Sequence, residues 1–435
     1  MIDRRGFFRT AGRAAMALPL MSALESAAFA KNACETAPPL PSSELYNRDE
    51  DAYWKEIRKQ FVIPDDEIYL NNGTVGSCPL PVLRAVFDSY NDTERMAQVE
   101  PEDYPIWGYD PRNDVRDPLA VLVGASRDEI ALVRNATEGN SFIANGLELQ
   151  AGDEVLMSDQ EHPSGEEPWN LRAKRYGIVV KKFKLPMPPK GPAEILNLIN
   201  DAITPRTRVI FTSHVSTSTG LVLPVKEIAA LGRSKGILTA FDGAHAIGML
   251  KFDLHDIGCD MYSSSPHKWL QAPKGTGFLF VREEVQPRVW NTIATAGWND
   301  PKLKAERFQR IGSSNLPALA GLKAAIEWCN LLGIDRIEKR HRALADYIHA
   351  QMMNKSGVQS WTSPDPALRC ALVAVNVAPI KLMDVERWLW TNRKIRIRGG
   401  GPSKIRLSTP YYLSKSEIDT YLAAYDEFRK QSGAA

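Results

Sequence analysis

From residue 129 onward, short apolar runs alternate with longer segments whose apolar positions recur every three to four residues. The runs at 130–133, 155–157, 178–180, 209–212 and 238–241 predict buried strands. The segments at 138–147, 193–202 and 225–235 predict the helices between them, and 277–281 predicts a further strand. This alternation predicts an α/β fold: a mainly parallel sheet covered on both faces. Beyond residue 336, helices expected near 337–354 and 415–430 predict a smaller α+β domain. Ahead of the sheet, residues 31–60 are polar and proline-bearing, which predicts an extended arm. Residues 67–70 read as a short strand entering the turn-rich Asn71-Asn72-Gly73-Thr74-Val75-Gly76. The predicted division is an arm over 31–75, a large domain over 76–325 and a small domain over 326–435.

The first thirty residues change the picture. Arg4-Arg5 precedes Phe7-Phe8, a mildly apolar run covers 11–24, and Ala28-Phe29-Ala30 has the small-x-small form of a cleavage site. In this order they predict a Tat export signal cut after Ala30, hence a periplasmic protein; a cytosolic N-terminal helix is the alternative. The run is too short and too polar for a membrane span, which needs about 20 apolar residues. Tat export moves folded proteins, so a cofactor can be inserted before export. The chain of 435 residues has a net charge of +2. Arg4, Arg5, Arg9 and Arg13 against Asp3 and Glu25 account for all of it. No basic run points to nucleic acid. Cys34, Cys78, Cys259, Cys329 and Cys370 form no CxxC pair and show no metal-ligand spacing, so free buried thiols, or at most one disulfide, are expected.

Chemistry concentrates after the predicted strands. Phe241-Asp242-Gly243-Ala244-His245 ends one apolar run, and Ser265-Pro266-His267-Lys268 follows the next. An acid and a lysine so placed suit pyridoxal phosphate (PLP): the amine forms a Schiff base with the cofactor aldehyde. The aspartate keeps the pyridine nitrogen protonated, so the ring draws electrons. Ala136 and Thr137 open a helix whose N-terminus is a ready phosphate site, although alone they read as an ordinary cap. Ser265 and His267 are near enough to donate to the same phosphate. His162 follows another strand, where it can stack on the ring or sit in a surface loop. Arg406 can clamp a substrate carboxylate or simply decorate a strand. Asn72 is a candidate substrate contact, though turns use asparagine for backbone geometry alone.

These motifs together resemble the class V aminotransferase family of fold-type I PLP enzymes, over about 69–412. Ala136-Thr137-Glu138, Glu161-His162, Asp242-Gly243-Ala244-His245 and Ser265-Pro266-His267-Lys268 match that family's phosphate turn, ring-stacking histidine, pyridine aspartate and lysine segment. The resemblance implies a fold-type I large domain with a smaller C-terminal domain. It implies Lys268, His162 and Asp242 as catalytic. It implies Ala136, Thr137, His162, Thr217, Asp242, His245, Ser265, His267 and Lys268 around the cofactor, with His245 near the phosphate or ring hydroxyl. Phe308 to Ser313 resembles an element reaching the phosphate of a neighbouring subunit, implying a homodimer. Arg406 matches the carboxylate arginine. Cysteine desulfurases carry a cysteine before that arginine; here Arg398-Gly399-Gly400-Gly401-Pro402-Ser403 has none. Tyr69-Leu70-Asn71-Asn72-Gly73 and His267-Lys268-Trp269-Leu270 resemble the isopenicillin N epimerase-like branch.

With an export signal, the resemblance implies tailoring of an amino acid or of a side group in a peptide product. Glutamate modification in maturation of the siderophore pyoverdine is the specific expectation. Transamination, epimerisation, or C–S or C–N lysis of a free amino acid share the lysine base and stay open. Outside the cytoplasm the keto acids that restore a transaminase are expected to be scarce, which favours reactions returning PLP directly. A non-catalytic PLP-binding protein is the reading from another class; the intact lysine, aspartate, histidine and arginine set opposes it. No GxSxG elbow supports a hydrolase. Aromatics in loops at 104–109 and 298–301 either line an entrance or pack.

Overall fold

The computed structural model describes residues 38–95 and 110–433; the expected export signal, Cys34 and the 104–109 segment lie outside them. The described chain opens with α1 (Ser43–Arg48) and α2 (Glu50–Arg58), where an extended arm was expected. Asp49 caps α2 by accepting from the Ala52 N–H. Tyr53, Trp54 and Ile57 lie on one helical face and enter the large-domain core, Trp54 packing 5.5 Å from Tyr411. That three-residue stripe was masked by the charged residues around it. β1 (Ile68–Tyr69), α3 (Leu80–Thr93) and α4 (Asp110–Val123) lead into the central sheet.

That sheet contains β2 (Ile130–Val133), β3 (Glu154–Ser158), β4 (Val179–Phe183), β5 (Thr207–Ser213), β6 (Leu238–Asp242), β7 (Met261–Ser264) and β8 (Gly277–Val281). Its seven strands run in the order β2-β8-β7-β6-β5-β3-β4. Only β8 is antiparallel to its neighbours. The crossovers include α5 (Ala136–Gly146), α6 (Pro163–Tyr176), α7 (Pro192–Ala202) and α8 (Val225–Ser234). Strands β2, β3, β6, β7 and β8 are buried along their whole length, which is why they read as continuous apolar runs. β4 runs three residues past its predicted end, because Lys181 and Lys182 on this edge strand interrupt the apolar signal. Charged residues there discourage pairing with another chain.

Helix α9 (Leu316–Leu332) packs on α3 and α4. The boundary expected at 325/326 falls inside it: Ala325, Ile326, Cys329 and Leu332 belong to the large-domain core. After Gly333, α10 (Ile334–Met353) begins, with Ile337 in that same core and Leu344, Ala345 and Ile348 in a second one. The small domain adds β9 (Gln359–Ser360), β10 (Leu372–Asn376), α11 (Leu382–Arg393), β11 (Ile395–Arg396), β12 (Arg398–Gly400), β13 (Lys404–Ser408) and α12 (Lys415–Gln431). Its antiparallel sheet runs β12-β13-β10-β9. β11 pairs in parallel with β1, so Ile68 and Leu70 join the small-domain core rather than a free arm. No described helix is long and apolar enough to cross a membrane.

Candidate active site

Parallel strands deliver their carboxyl ends to one edge of the sheet, where ligands of such folds bind. β2 leads to Asn135, Ala136 and Thr137, β3 to His162, β5 to Thr217 and β7 to Ser265, His267 and Lys268, while β6 ends at Asp242. β12 and β13 of the small domain face this edge with Arg398, Lys404 and Arg406. A cavity of ≈ 480 Å³ lies between, within the range of small-molecule sites. Eight of the predicted site residues line it: Ala136, Thr137, His162, Thr217, Ser265, His267, Lys268 and Arg406.

Lys268 is half-buried, and its Nζ lies 3.1 Å from His245 Nε2. Burial pushes the amine down to about 8; Asp242 opposes this and Arg406 adds to it. On the far side of the ring, Trp269 Nε1 donates to His245 Nδ1 at 3.2 Å. An indole N–H only donates, so Nδ1 must be the unprotonated nitrogen. The neutral ring therefore carries its proton on Nε2, facing the lysine. A donor there can be accepted by a free amine but not by an ammonium. Burial, then the Lys268 charge, hold His245 well below the usual histidine range, which keeps it neutral. His245 thus backs Lys268 and lies outside the cavity lining.

Asp242 is buried with both oxygens engaged. Oδ2 accepts from Asn140 Nδ2 at 2.8 Å, and Oδ1 accepts from the Ala244 N–H at 2.9 Å. Asn140 Oδ1 in turn accepts from Ser263 Oγ at 2.5 Å. Asn140, fully buried one turn into α5, was missed from sequence. Its signal was a polar residue on the face three positions after Thr137. Gly139 lets α5 reach β7, since a Cβ there meets Ser263 Cβ at 2.6 Å. Asn135 caps α5 by accepting from the Glu138 N–H at 3.0 Å. Ser265 Oγ accepts from the Ala136 N–H at 2.9 Å, tying the lysine loop to that helix end. His267 Nδ1 lies 3.4 Å from Thr276 O.

His162 caps α6, its Nδ1 accepting from the Ser164 N–H at 3.1 Å. Burial, then the Lys268 charge, lower its pKa. The neighbouring Glu161 is half-buried and accepts from Ser213 N, Ser213 Oγ and Ser158 Oγ. Burial pushes its carboxyl up to about 7, against these hydrogen bonds.

Arg406 Nη1 donates to Thr217 Oγ1 at 2.8 Å, and Nη2 donates to Thr74 Oγ1 at 2.9 Å and Asn71 Oδ1 at 3.4 Å. All these acceptors are neutral. Burial, then Arg398, lower the guanidinium to about 10. Thr217, expected at the cofactor, thus also steadies the arginine. Asn72, the candidate substrate contact, braces the lysine loop. It is fully buried outside the cavity lining and donates from Nδ2 to Lys268 O at 3.1 Å. Gly76 completes this brace: its N–H donates to His267 O at 2.9 Å, and a Cβ there meets Lys268 O at 2.0 Å. Ser313 is exposed and lies in a separate cleft beside Val133, Arg134 and Gln309, outside this chain's cavity. A site wholly within one chain does not use it.

The donor set fits PLP. A helix N-terminus with Thr137, Ser265 and His267 suits a phosphate, Asp242 suits a pyridinium, and a buried amine near its free-base form suits an aldehyde. Arg406 Nε has no partner among the described residues and is buried beside the cavity, an unmet donor in the arginine already facing it.

The pattern of the family described as aminotransferase class-V matches residues 68–419. Isopenicillin N epimerase of Streptomyces clavuligerus is 32% identical over 401 residues, spanning 86% of this chain and 98% of that protein. A probable cysteine desulfurase of Methanothermobacter thermautotrophicus is 27% identical over 353 residues, spanning 80% of this chain and 87% of that one. The solved structure of C-DES with glycine covalently linked to its PLP cofactor superposes with a TM-score of 0.76 at 25% identity. It spans 84% of this chain and 98% of C-DES. A cysteine desulfurase from Thermococcus onnurineus gives 0.77 at 21% identity, covering 87% and 98% of the two chains, a likeness of fold alone.

Proposed function

The chain belongs to the class V aminotransferase family and is a PLP-dependent enzyme; from that premise we propose that it moves protons at the Cα of an amino-acid group without a sulfur-carrying cysteine. The observation that carries this is the composition of the cavity wall. It presents the Lys268 amine and the Arg406 guanidinium, and no described cysteine. Cys370, nearest in sequence to the arginine loop, is buried with its thiol against Gly220 O at 3.1 Å. Burial pushes that thiol up to about 12, so the nucleophilic thiolate is suppressed.

Bound in the cavity, PLP supplies an electron sink for negative charge at Cα. The chain supplies the rest. Arg406 binds the substrate carboxylate, its fork held by Thr217 and Thr74. Asp242, fixed by Asn140 and Ala244, holds a proton at the pyridine nitrogen. His162 covers the ring, and Thr137, Ser265 and His267 bind the phosphate. Lys268, a free base above about pH 8, takes the Cα proton and returns it. An intact base and sink favour epimerisation, elimination or side-group tailoring, and the relation to isopenicillin N epimerase supports action on a peptide-borne amino acid.

The N-terminal motif supports Tat export to the periplasm, with the cofactor loaded beforehand. There a siderophore peptide, with a glutamate side group as in pyoverdine, is the substrate class we favour, turned over without added keto acid. The resemblance around Ser313 supports a homodimer in which this residue serves the partner's phosphate. The experiment is proton exchange in D2O by holoenzyme, on free amino acids and glutamate-bearing peptides. Deuterium at Cα in the parent and none with Lys268→Ala is expected; exchange that survives the substitution would refute the assignment of the base.

A further inference from the structure

We propose that Arg398 and Lys404 form a second anion subsite, so that the substrate carries a side-chain carboxylate besides the one taken by Arg406. This rests on the reading of the cavity as a PLP and amino-acid site. In the β12–β13 register Arg398 stands directly opposite Arg406, and Lys404 opposite Gly400. Directly opposed residues have Cβ atoms about 5 Å apart on one face, and residues two apart on a strand share that face. Arg398, Lys404 and Arg406 therefore present one side of a two-stranded ribbon, and all three line the cavity.

Like charges placed opposite one another destabilise a strand pair. Nothing on this wall offsets them: no described Asp or Glu lines the cavity. The acceptors on Arg406 are a carbonyl, an amide and two hydroxyls, all uncharged. Lys404 Nζ lies 5.9 Å from the Trp361 ring centre and makes no ion pair among the described residues. Glu386 on α11 lies near Arg398 and Arg396, yet no ion pair joins it to either, and its Oε1 is buried without a partner. A Cβ at Gly400 would lie 3.2 Å from Lys404 Cε and 3.3 Å from its Nζ, so the lysine head passes close over this residue. Three cationic heads on one wall without carboxylates are what an anionic ligand group needs. The cofactor phosphate does not account for it, because its cradle of Thr137, Ser265 and His267 belongs to the large domain.

The test compares L-glutamate with L-glutamine on the holoenzyme, with dissociation constants read from the visible spectrum of bound PLP. Both carry the α-carboxylate; only glutamate carries the second. The parent is expected to bind glutamate tighter by roughly tenfold, the size of one hydrogen-bonded charge contact. Arg398→Ala with Lys404→Ala should erase that preference while leaving glutamine binding and PLP retention unchanged. Equal binding of the two ligands, binding of neither, or a preference that survives the double substitution overturns the subsite. Loss of PLP from the double variant overturns it in another way, by making the two cations phosphate ligands. A parent that takes up no PLP instead overturns the reading of the site beneath it.

Discussion

Replacing Trp269 by Phe should raise the pKa of Lys268, although the two side chains do not touch through any hydrogen bond. The link is His245. In the native arrangement the Trp269 N–H occupies Nδ1, so the ring meets Lys268 with an N–H, and an ammonium gains nothing from it. Phe removes the donor and frees the ring to move its proton to Nδ1. Nε2 then becomes an acceptor for the charged lysine. A hydrogen bond to a charged group is worth about 1.5–3 kcal/mol, part of which is spent on a buried, unpartnered Nδ1–H. A rise of about one pKa unit is left, since each unit is ~1.4 kcal/mol. Burial, the main cause of the native value of about 8, is unaltered. The assay is the pH dependence of Lys268 modification by an amine-selective reagent in the cofactor-free protein, read by peptide mass spectrometry. Nitrogen-15 NMR of the histidines reports the tautomer directly. An unshifted midpoint in a folded Trp269→Phe protein, or a native His245 protonated on Nδ1, refutes the reasoning.

Other expectations follow from the same site. Glu161 holds its proton up to about pH 7 in the folded protein, whereas the unfolded chain releases it near 4.5. The folded state thus binds the extra proton in that window, and stability falls as pH rises through it, by up to about 3 kcal/mol. Thermal melts of Glu161→Gln from pH 4.5 to 8 should lack that part of the slope, and an unchanged slope contradicts the assignment. Asn140→Leu leaves Asp242 Oδ2 without its donor, which costs about 1–3 kcal/mol in a buried site and should weaken PLP binding by about fivefold or more in a spectral titration. Cys370→Ser should retain turnover, and no cyanide-releasable sulfur should accumulate in the parent; loss of activity with native stability would restore a persulfide route.

The sheet was legible because its strands are buried along their length and need no alternation to stand out. β4 was cut short by edge lysines, and α9 gave no narrow stripe because its buried face is wide, leaving only Lys323, Glu327, Asn330 and Leu331 exposed. Residues such as Asp242, Lys268 and His162 were legible because each sits at or just past a strand's carboxyl end, where the fold gathers them. What sequence could not supply were partners fixed by long-range packing. Asn140 meets Asp242 across 102 positions, and Asn72 reaches the Lys268 carbonyl across 196. Its place in a turn-rich loop left Asn72 either a substrate contact or a residue of backbone geometry; in the fold it is a buried brace. Trp269 adjoins the lysine in sequence, yet its role depends on which ring nitrogen of His245 it faces, a matter of angle rather than spacing.

Reduction of the holoenzyme with borohydride, followed by peptide mapping, tests the central claim most directly. A phosphopyridoxyl group on the peptide containing Lys268, absent when Lys268 is replaced by Ala, is the predicted result. A protein that takes up no PLP, or carries the label on another lysine, contradicts the account.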